Sequence, residues 1–152
     1  MIEIKNAPLI PGLRFRHFQG DRDYAEMAAV LTASEAADHV ERIMGADDLA
    51  NAYQHLNHCD PFEDMIVAEV FGKIVGYARG WWERDTFGTI YHHNGFLLPK
   101  WRRKGLGFAM LNWMENHLSE RAKSEPGSIR CFQVNVTQFQ ERTAVMLQRA
   151  GY

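Results

Sequence analysis

Cysteine is scarce: only Cys59 and Cys131 occur in 152 residues, and their separation gives neither a disulfide framework nor a metal-ligand pattern. That fits a reducing compartment, and the expected location is the cytoplasm. Long hydrophobic runs are missing too. None reaches the length that spans a bilayer, and the opening MIEIKNAPLIPG lacks the continuous apolar stretch of a secretory signal. No membrane association is expected. Nor is there an excess of charge of one sign: 17 Lys and Arg face 19 Asp and Glu, a net charge of −2. No global field draws such a chain to nucleic acid, and none is expected as a partner. Repeats and low-complexity segments are absent. What is present, 46% hydrophobic and 24% charged residues, is the composition of a globular domain with a real core, expected to be one unit over residues 1–152.

One stretch organises the rest: residues 91–118, YHHNGFLLPKWRRKGLGFAMLNWMENHL. Its start predicts a strand over residues 91–98, stopped by Pro99, which cannot donate to a ladder. A basic turn over residues 101–104 follows, then a helix whose Leu106, Met110, Leu111, Met114 and Leu118 make one buried stripe. The start of a helix carries free N–H groups and the positive end of its dipole. Gly105 and Gly107 allow an anion close to that backbone, and Arg102, Arg103 and Lys104 add positive charge. Together these describe a seat for phosphates. It is not a Walker A loop, because Lys104 precedes Gly105 and no Gly-Lys-Ser/Thr occurs; the glycine spacing is not the dinucleotide one either.

Arg102-x-x-Gly105-x-Gly107, behind an apolar strand and Pro99, resembles motif A of the GNAT (GCN5-related N-acetyltransferase) superfamily. The resemblance implies that acetyl-CoA is a cosubstrate. Its pyrophosphate would lie on the backbone of Arg102, Arg103, Lys104, Gly105, Leu106, Gly107 and Phe108. Two further stretches are similar to the family: IVAEVFGKIVGYARGWW to its paired second and third strands, and the ending LQRAGY to motif B. The implied fold is α/β (α+β), with a central mixed, mostly antiparallel sheet and helices on both faces. The strands beginning near Tyr91 and Ile129 should splay apart to admit pantetheine.

The remaining elements follow from patterning. Residues 13–19 alternate as a first strand, and Asp21 can cap the helix that shows Tyr24, Met27, Ala28 and Leu31 on one face. Residues 34–44 read as a second helical piece broken by Gly45, and Asp47 or Asp48 restarts a helix carrying Leu49, Ala52, Tyr53 and Leu56. Strands are predicted at 65–70 and 74–82 around a turn at 71–73, then a polar turn at 83–88. A loop at 121–128 containing Pro126 and Gly127, a strand at 129–137 and a helix at 140–150 capped by Gly151 complete the chain. His55 and His58 share a helix face but find no second ligand cluster, so no metal site is expected.

Acyl transfer from a thioester to an amine needs a donor for the thioester oxygen, a base for the amine and a proton for the leaving thiolate. The resemblance puts the first on the backbone of Leu97 or Leu98. The family's usual glutamate position falls on Tyr91, and His93 shares its strand face and titrates near neutrality, so Tyr91 and His93 are the catalytic candidates. The family's tyrosine acid falls on Leu147, which cannot donate a proton. The expected function is transfer of an acetyl group to a primary amine of a small molecule or peptide. The competing reading is a non-catalytic CoA-binding or structural domain. The family adds strands beyond this point, so a second GNAT domain or another copy of the chain is expected to complete the sheet.

Overall fold

A computed structural model describes residues 1–86, 88–124 and 129–152. Five strands and four helices follow one another as β1 (Leu13–Arg16), α1 (Asp21–Ala37), α2 (Ala46–Tyr53), β2 (Met65–Val70), β3 (Lys73–Arg84), β4 (Gly88–Leu97), α3 (Leu106–Lys123), β5 (Ile129–Gln133) and α4 (Glu141–Ala150). The sheet order is β1-β2-β3-β4-β5. The first four strands pair antiparallel, and β5 joins β4 in parallel. A helical crossover is what a parallel neighbour requires, and α3 supplies it. The expected mixed, mostly antiparallel sheet with helices on both faces is present.

Strand alternation divides the core in two. On one face Tyr91, Ala78 and Ile66 meet Leu106, Met110, Met114 and Leu118 of α3. On the other, Tyr77, Val67 and Met65 meet Met27, Val30 and Leu31 of α1 and Leu49 of α2. The predicted α3 stripe is buried at every position, Leu106, Met114 and Leu118 completely. Phe71 and Gly72, at φ 50° and 75°, close the β2–β3 hairpin. Two positive φ values in a row are the signature of the turn that matches strand twist.

Several boundaries move, each for a local reason. Helix α1 continues through Ser34 to Ala37 as one piece of 17 residues. Its inward stripe does not stop at Leu31; it changes to Ser34 and Glu35, which are buried at 4% and 7% exposure. The helix expected to reach residue 44 ends instead at Asp38, where His39 takes φ 56° and Ile43 lies 93% exposed. Gly20, not Asp21, occupies the N-cap of α1. Strands β1 and β5 stop earlier than expected, at Arg16 and Gln133. Strands β3 and β4 run further into the polar turn, to Arg84 and from Gly88. The predicted loop at 121–128 begins later, since α3 reaches Lys123; its Pro126 and Gly127 lie outside the described residues. His58 stacks on Trp82 at 5.5 Å, with Nδ1 3.0 Å from the Trp82 carbonyl oxygen.

Candidate active site

The basic turn after β4 is shaped by two left-handed residues. A single 3-10 turn over Pro99–Trp101 leads to Arg103 at φ 62° and Gly105 at φ 85°. Gly105 is the N-cap of α3, and no side chain caps that helix. The first bond back to the cap runs from Ala109 N–H to the Gly105 carbonyl at 3.0 Å. The N–H groups of Leu106, Gly107 and Phe108 precede it and have no partner within the helix. A left-handed residue followed by helical ones turns successive N–H groups inward, the arrangement that holds anions. A Cβ on Gly107 would meet only the Met146 sulfur, at 3.7 Å. Leu106 buries its side chain and contributes only backbone, whereas Phe108 is 48% exposed.

The three basic residues divide their roles. Arg102 turns away from the helix start. It donates to both Asp38 oxygens at 2.6 and 3.1 Å, and to the Ser34 hydroxyl and carbonyl at 2.9 and 3.0 Å. Asp38 also accepts from the Gln140 amide at 3.0 Å. Arg102 therefore clamps the end of α1 to the turn. Arg103 and Lys104 are exposed, with the Lys104 ammonium 4.7 Å from the Trp101 ring centroid. They carry the positive charge at the helix start.

Strands β4 and β5 form a fork. They pair from Gly88↔Ile129 to His92↔Gln133; β4 then continues to Leu97 while β5 has ended. Backbone N–H groups alternate sides along a strand. The Leu98 N–H is taken by the Val75 carbonyl on β3 at 2.9 Å. Of the two expected carbonyl donors, Leu98 is thus already occupied. The N–H groups of Leu97 and Gly95 point the other way, towards the side β5 has left. Gly95 was not anticipated, although counting back by two from Leu97 would have found it.

His93 is the first residue of β4 beyond the last pair with β5. It is 7% exposed, and its Nε2 lies 2.6 Å from the hydroxyl of Tyr152. Burial first, then the neighbouring His92, lower its pKa to about 4. At neutral pH the ring is uncharged. Burial and the Glu115 carboxylate push the Tyr152 hydroxyl up, and burial also raises Glu115. The single hydroxyl proton can serve His93 or Glu115, not both. His93, Tyr152 and Glu115 thus form one chain of proton-carrying groups that runs from the buried His93 to the exposed Tyr152. In the sequence Tyr152 is only the last residue of the LQRAGY ending. Its partners come from β4 and α3, far away in the chain. Tyr91 shares the face of His93, but its ring is 2% exposed, packed in the α3-side core and against Phe132. Leu147 is buried at 6% exposure.

A second group was invisible to sequence reasoning. Glu35 lies three residues before Asp38, on the same inward side of α1. Its Oε1 pairs with Arg42 at 3.4 Å, and its Oε2 has no hydrogen-bond partner. Burial, more than the opposing Arg42 charge, raises its pKa above the ordinary carboxylate value.

The chain matches the profile of the "Acetyltransferase (GNAT) family" over residues 24–152. No curated protein matches it in sequence. Among solved structures it is similar to a GCN5-related N-acetyltransferase of Sphaerobacter thermophilus, with a TM-score of 0.81 at 19% identity, over 95% of this chain and 44% of that one. A predicted acetyltransferase of Clostridium acetobutylicum, solved with acetyl-CoA, gives 0.69 at 13% identity, over 92% of this chain and 89% of that one. An aminoglycoside acetyltransferase from an uncultured soil metagenomic sample, in complex with sisomicin, gives 0.66 at 13% identity, over 93% and 88%. The chain thus spans less than half the length of the Sphaerobacter protein and most of the other two. At these identities the likeness establishes the fold.

Proposed function

The chain belongs to the GNAT acetyltransferase family, and on that premise we propose that it moves an acetyl group from acetyl-CoA to a primary amine of a small molecule or peptide. The observation that carries this reading is the juxtaposition of two sets of open N–H donors: those of Leu106, Gly107 and Phe108 at the start of α3, and those of Gly95 and Leu97 along the fork. The first set suits the pyrophosphate of CoA, with Arg103 and Lys104 adding charge. The second suits pantetheine and the thioester carbonyl oxygen, which gains charge as the amine nitrogen bonds to the carbonyl carbon. An ammonium must first lose a proton. As the C–S bond breaks, one of the two protons on the former amine nitrogen leaves and the thiolate gains one, giving an amide that keeps the other N–H, and CoA thiol.

His93 is the residue we assign to proton handling at the fork, with Tyr152 and Glu115 behind it. Tyr91 we assign to packing behind His93. A neutral imidazole hydrogen-bonded to a hydroxyl can pass a proton in either direction without a buried charge persisting. Arg102 is assigned to positioning, since its guanidinium is held by Asp38, Ser34 and, at 3.4 Å, the Leu97 carbonyl.

One observation favours the runner-up, a domain that binds CoA without turning it over: Leu147 puts a hydrocarbon where the family's acid would stand. A further part of the reading concerns assembly. Strand β5 is the outer strand of the sheet, and Val136, Phe139, Val145 and Tyr152 expose apolar surface beside it. A second GNAT domain or another copy of the chain would cover both. The two free cysteines support a reducing cytoplasmic location. No described helix is long and apolar enough to cross a membrane. Calorimetric titration with acetyl-CoA, followed by thiol release across a panel of primary amines, tests the activity. Binding with release supports transfer; binding with no release from any amine supports the CoA-binding runner-up; no binding defeats both and leaves a structural domain.

A further inference from the structure

The sheet face under α1 carries a cation, Arg79 of β3, that no carboxylate among the described residues neutralises. Arg79 is half-buried, and its guanidinium carbon lies 5.1 Å from the centre of the Trp81 ring and 5.5 Å from that of Tyr53. Among the described residues the guanidinium has these two rings, but no hydrogen-bond acceptor and no ion-pair partner. Glu83, four residues on and on the same face of β3, is 66% exposed and lies 3.5 Å from Nε2 of His92 instead. The arginines that serve structure here sit on carboxylates, Arg16 on Asp23 and Glu69, Arg102 on Asp38. Stacking uses the flat faces of a guanidinium and leaves its five N–H donors, which lie in the plane, for another acceptor. The rings also hold the side chain in place, so a ligand that binds it loses little of its rotamer freedom.

Its position in the ladder gives the open cation a use. Arg79 stands directly across from Asn94 of β4, between the pairs Ala78↔Gly95 and Gly80↔His93. By strand alternation both side chains lie on the α1 side, with Tyr77 and Phe96. Asn94 is half-buried, and its amide likewise has no partner among the described residues. The chain neighbours of Asn94 are His93, assigned to proton handling, and Gly95, whose N–H opens onto the fork. Strand β5 ends at Gln133, opposite His92, so it leaves the edge of β4 from His93 onward. Open donors on two adjacent strands therefore stand at the level of the sheet where the amine must meet the thioester.

We infer that Arg79 determines the acceptor: it receives a carboxylate carried by the amine substrate, Asn94 donates to the same group, and the acceptor is therefore an amino acid. The planar edge of a guanidinium matches the two oxygens of a carboxylate. One guanidinium also balances its single charge. A phosphate monoester brings nearly two, and Glu83 on the same face opposes the surplus. The inference rests on the acetyl-transfer reading for the fate of the amine, whereas the carboxylate site can be read from binding alone.

Glycine, β-alanine, γ-aminobutyrate and ε-aminocaproate separate amine from carboxylate by increasing lengths. Each is compared with its carboxamide, in thiol release and in calorimetric binding with and without CoA. At the best length the wild type should favour the acid at least tenfold, in kcat/KM and in affinity. Arg79→Gln should bring that preference below twofold, while acetyl-CoA affinity and the rate with the carboxamide stay within twofold of the wild type. Arg79→Lys, which keeps the charge but not the planar edge, should fall between the two. An arginine that only packs Tyr53 and Trp81 would change stability on removal and treat acid and amide alike. No acid preference at any length, a preference that survives in Arg79→Gln, or tighter binding of phosphoethanolamine than of every acid would each overturn the inference. An acid preference in binding that Arg79→Gln removes, with no thiol released from any amine, would keep the site and defeat the acetyl-transfer reading.

Discussion

The two faces of the sheet are built from helices of similar length, 17 and 18 residues, with different inward stripes. Along α3 the stripe stays apolar from Leu106 to Ala122, and the face it makes is a core. Its functional contribution comes from the backbone at its N-terminus. Along α1 the stripe is apolar from Met27 to Leu31 and then polar while still buried, through Ser34, Glu35 and Asp38. Those positions keep helical spacing and burial but change chemistry. The lesson is that burial on a helix does not by itself mean core: side chains at core positions can become polar to serve a clamp, as Ser34 and Asp38 do for Arg102.

Substitutions on the α3 face should give the largest effects. Met114→Ala, at a wholly buried position, should cost about 2–5 kcal/mol in denaturant unfolding, as large-to-small core changes do. Ser34→Ala, on the polar end of the α1 stripe, should cost only about 1 kcal/mol, the usual worth of one hydrogen bond. Equal costs would erase the distinction between the faces.

The faces should also respond to pH with opposite sign. His93 has a folded pKa of about 4 against an ordinary 6.5. Between those values the unfolded chain takes up a proton that the folded chain refuses, so stability falls as pH drops from 6.5 towards 4. The contribution is about 3 kcal/mol at most. His93→Gln should remove that part of the acid sensitivity. Glu35 is raised, so its contribution is present at low pH and is lost as pH rises through its folded titration. Glu35→Gln should flatten the stability curve on that side. Curves from urea unfolding at several pH values decide it; a His93→Gln curve parallel to the wild type between pH 6.5 and 4 would contradict the assignment.

The clamp between the faces comes next. Asp38→Ala leaves Arg102 and Gln140 without their shared acceptor, and should cost about 1–3 kcal/mol, allowing for the partial exposure of Arg102. Arg102→Ala should cost about the same, and the double variant little more than either, since both remove one interaction. Additive costs in unfolding measurements would mean that the two side chains act separately.

The elements that fell at their expected places were those with a strong local signature: the hairpin at Phe71–Gly72, the α3 stripe, the Gly105 start and the Gly151 cap. Residues 34–44 misled because apolar Val40, Ile43 and Met44 keep helical spacing, whereas Asp38 is held by Arg102 and the helix ends there. No local rule carries that long-range pairing. The same holds at the site. The phosphate seat is a local motif and could be read. Leu98 could not be separated from Leu97 without knowing which of its edges β3 occupies. The Tyr152–His93 pair and the buried Glu35 exist only after α1, α3, β4 and α4 are assembled.

The smallest change in stability, and the sharpest test of the α3 start, belongs to Gly107→Ala. Gly105 is a poor site for that test. At φ 85° any side chain is strained, and its Cβ would stand 3.3 Å from Pro8, so a lost ligand could be blamed on a distorted turn. Gly107 lies in the first turn of α3 without a positive φ, and its nearest obstacle is the Met146 sulfur at an ordinary 3.7 Å. Alanine is the better helix former by up to about 1 kcal/mol, so the variant should be as stable as the wild type or slightly more so. If the glycine is there to let phosphate reach the N–H groups of Leu106, Gly107 and Phe108, the added methyl group should weaken acetyl-CoA binding about tenfold, roughly 1.4 kcal/mol. Calorimetry on the folded variant reads both quantities. Unchanged affinity would mean that Gly107 serves the packing of α4 through Met146, and that phosphate, if bound, rests elsewhere on the turn.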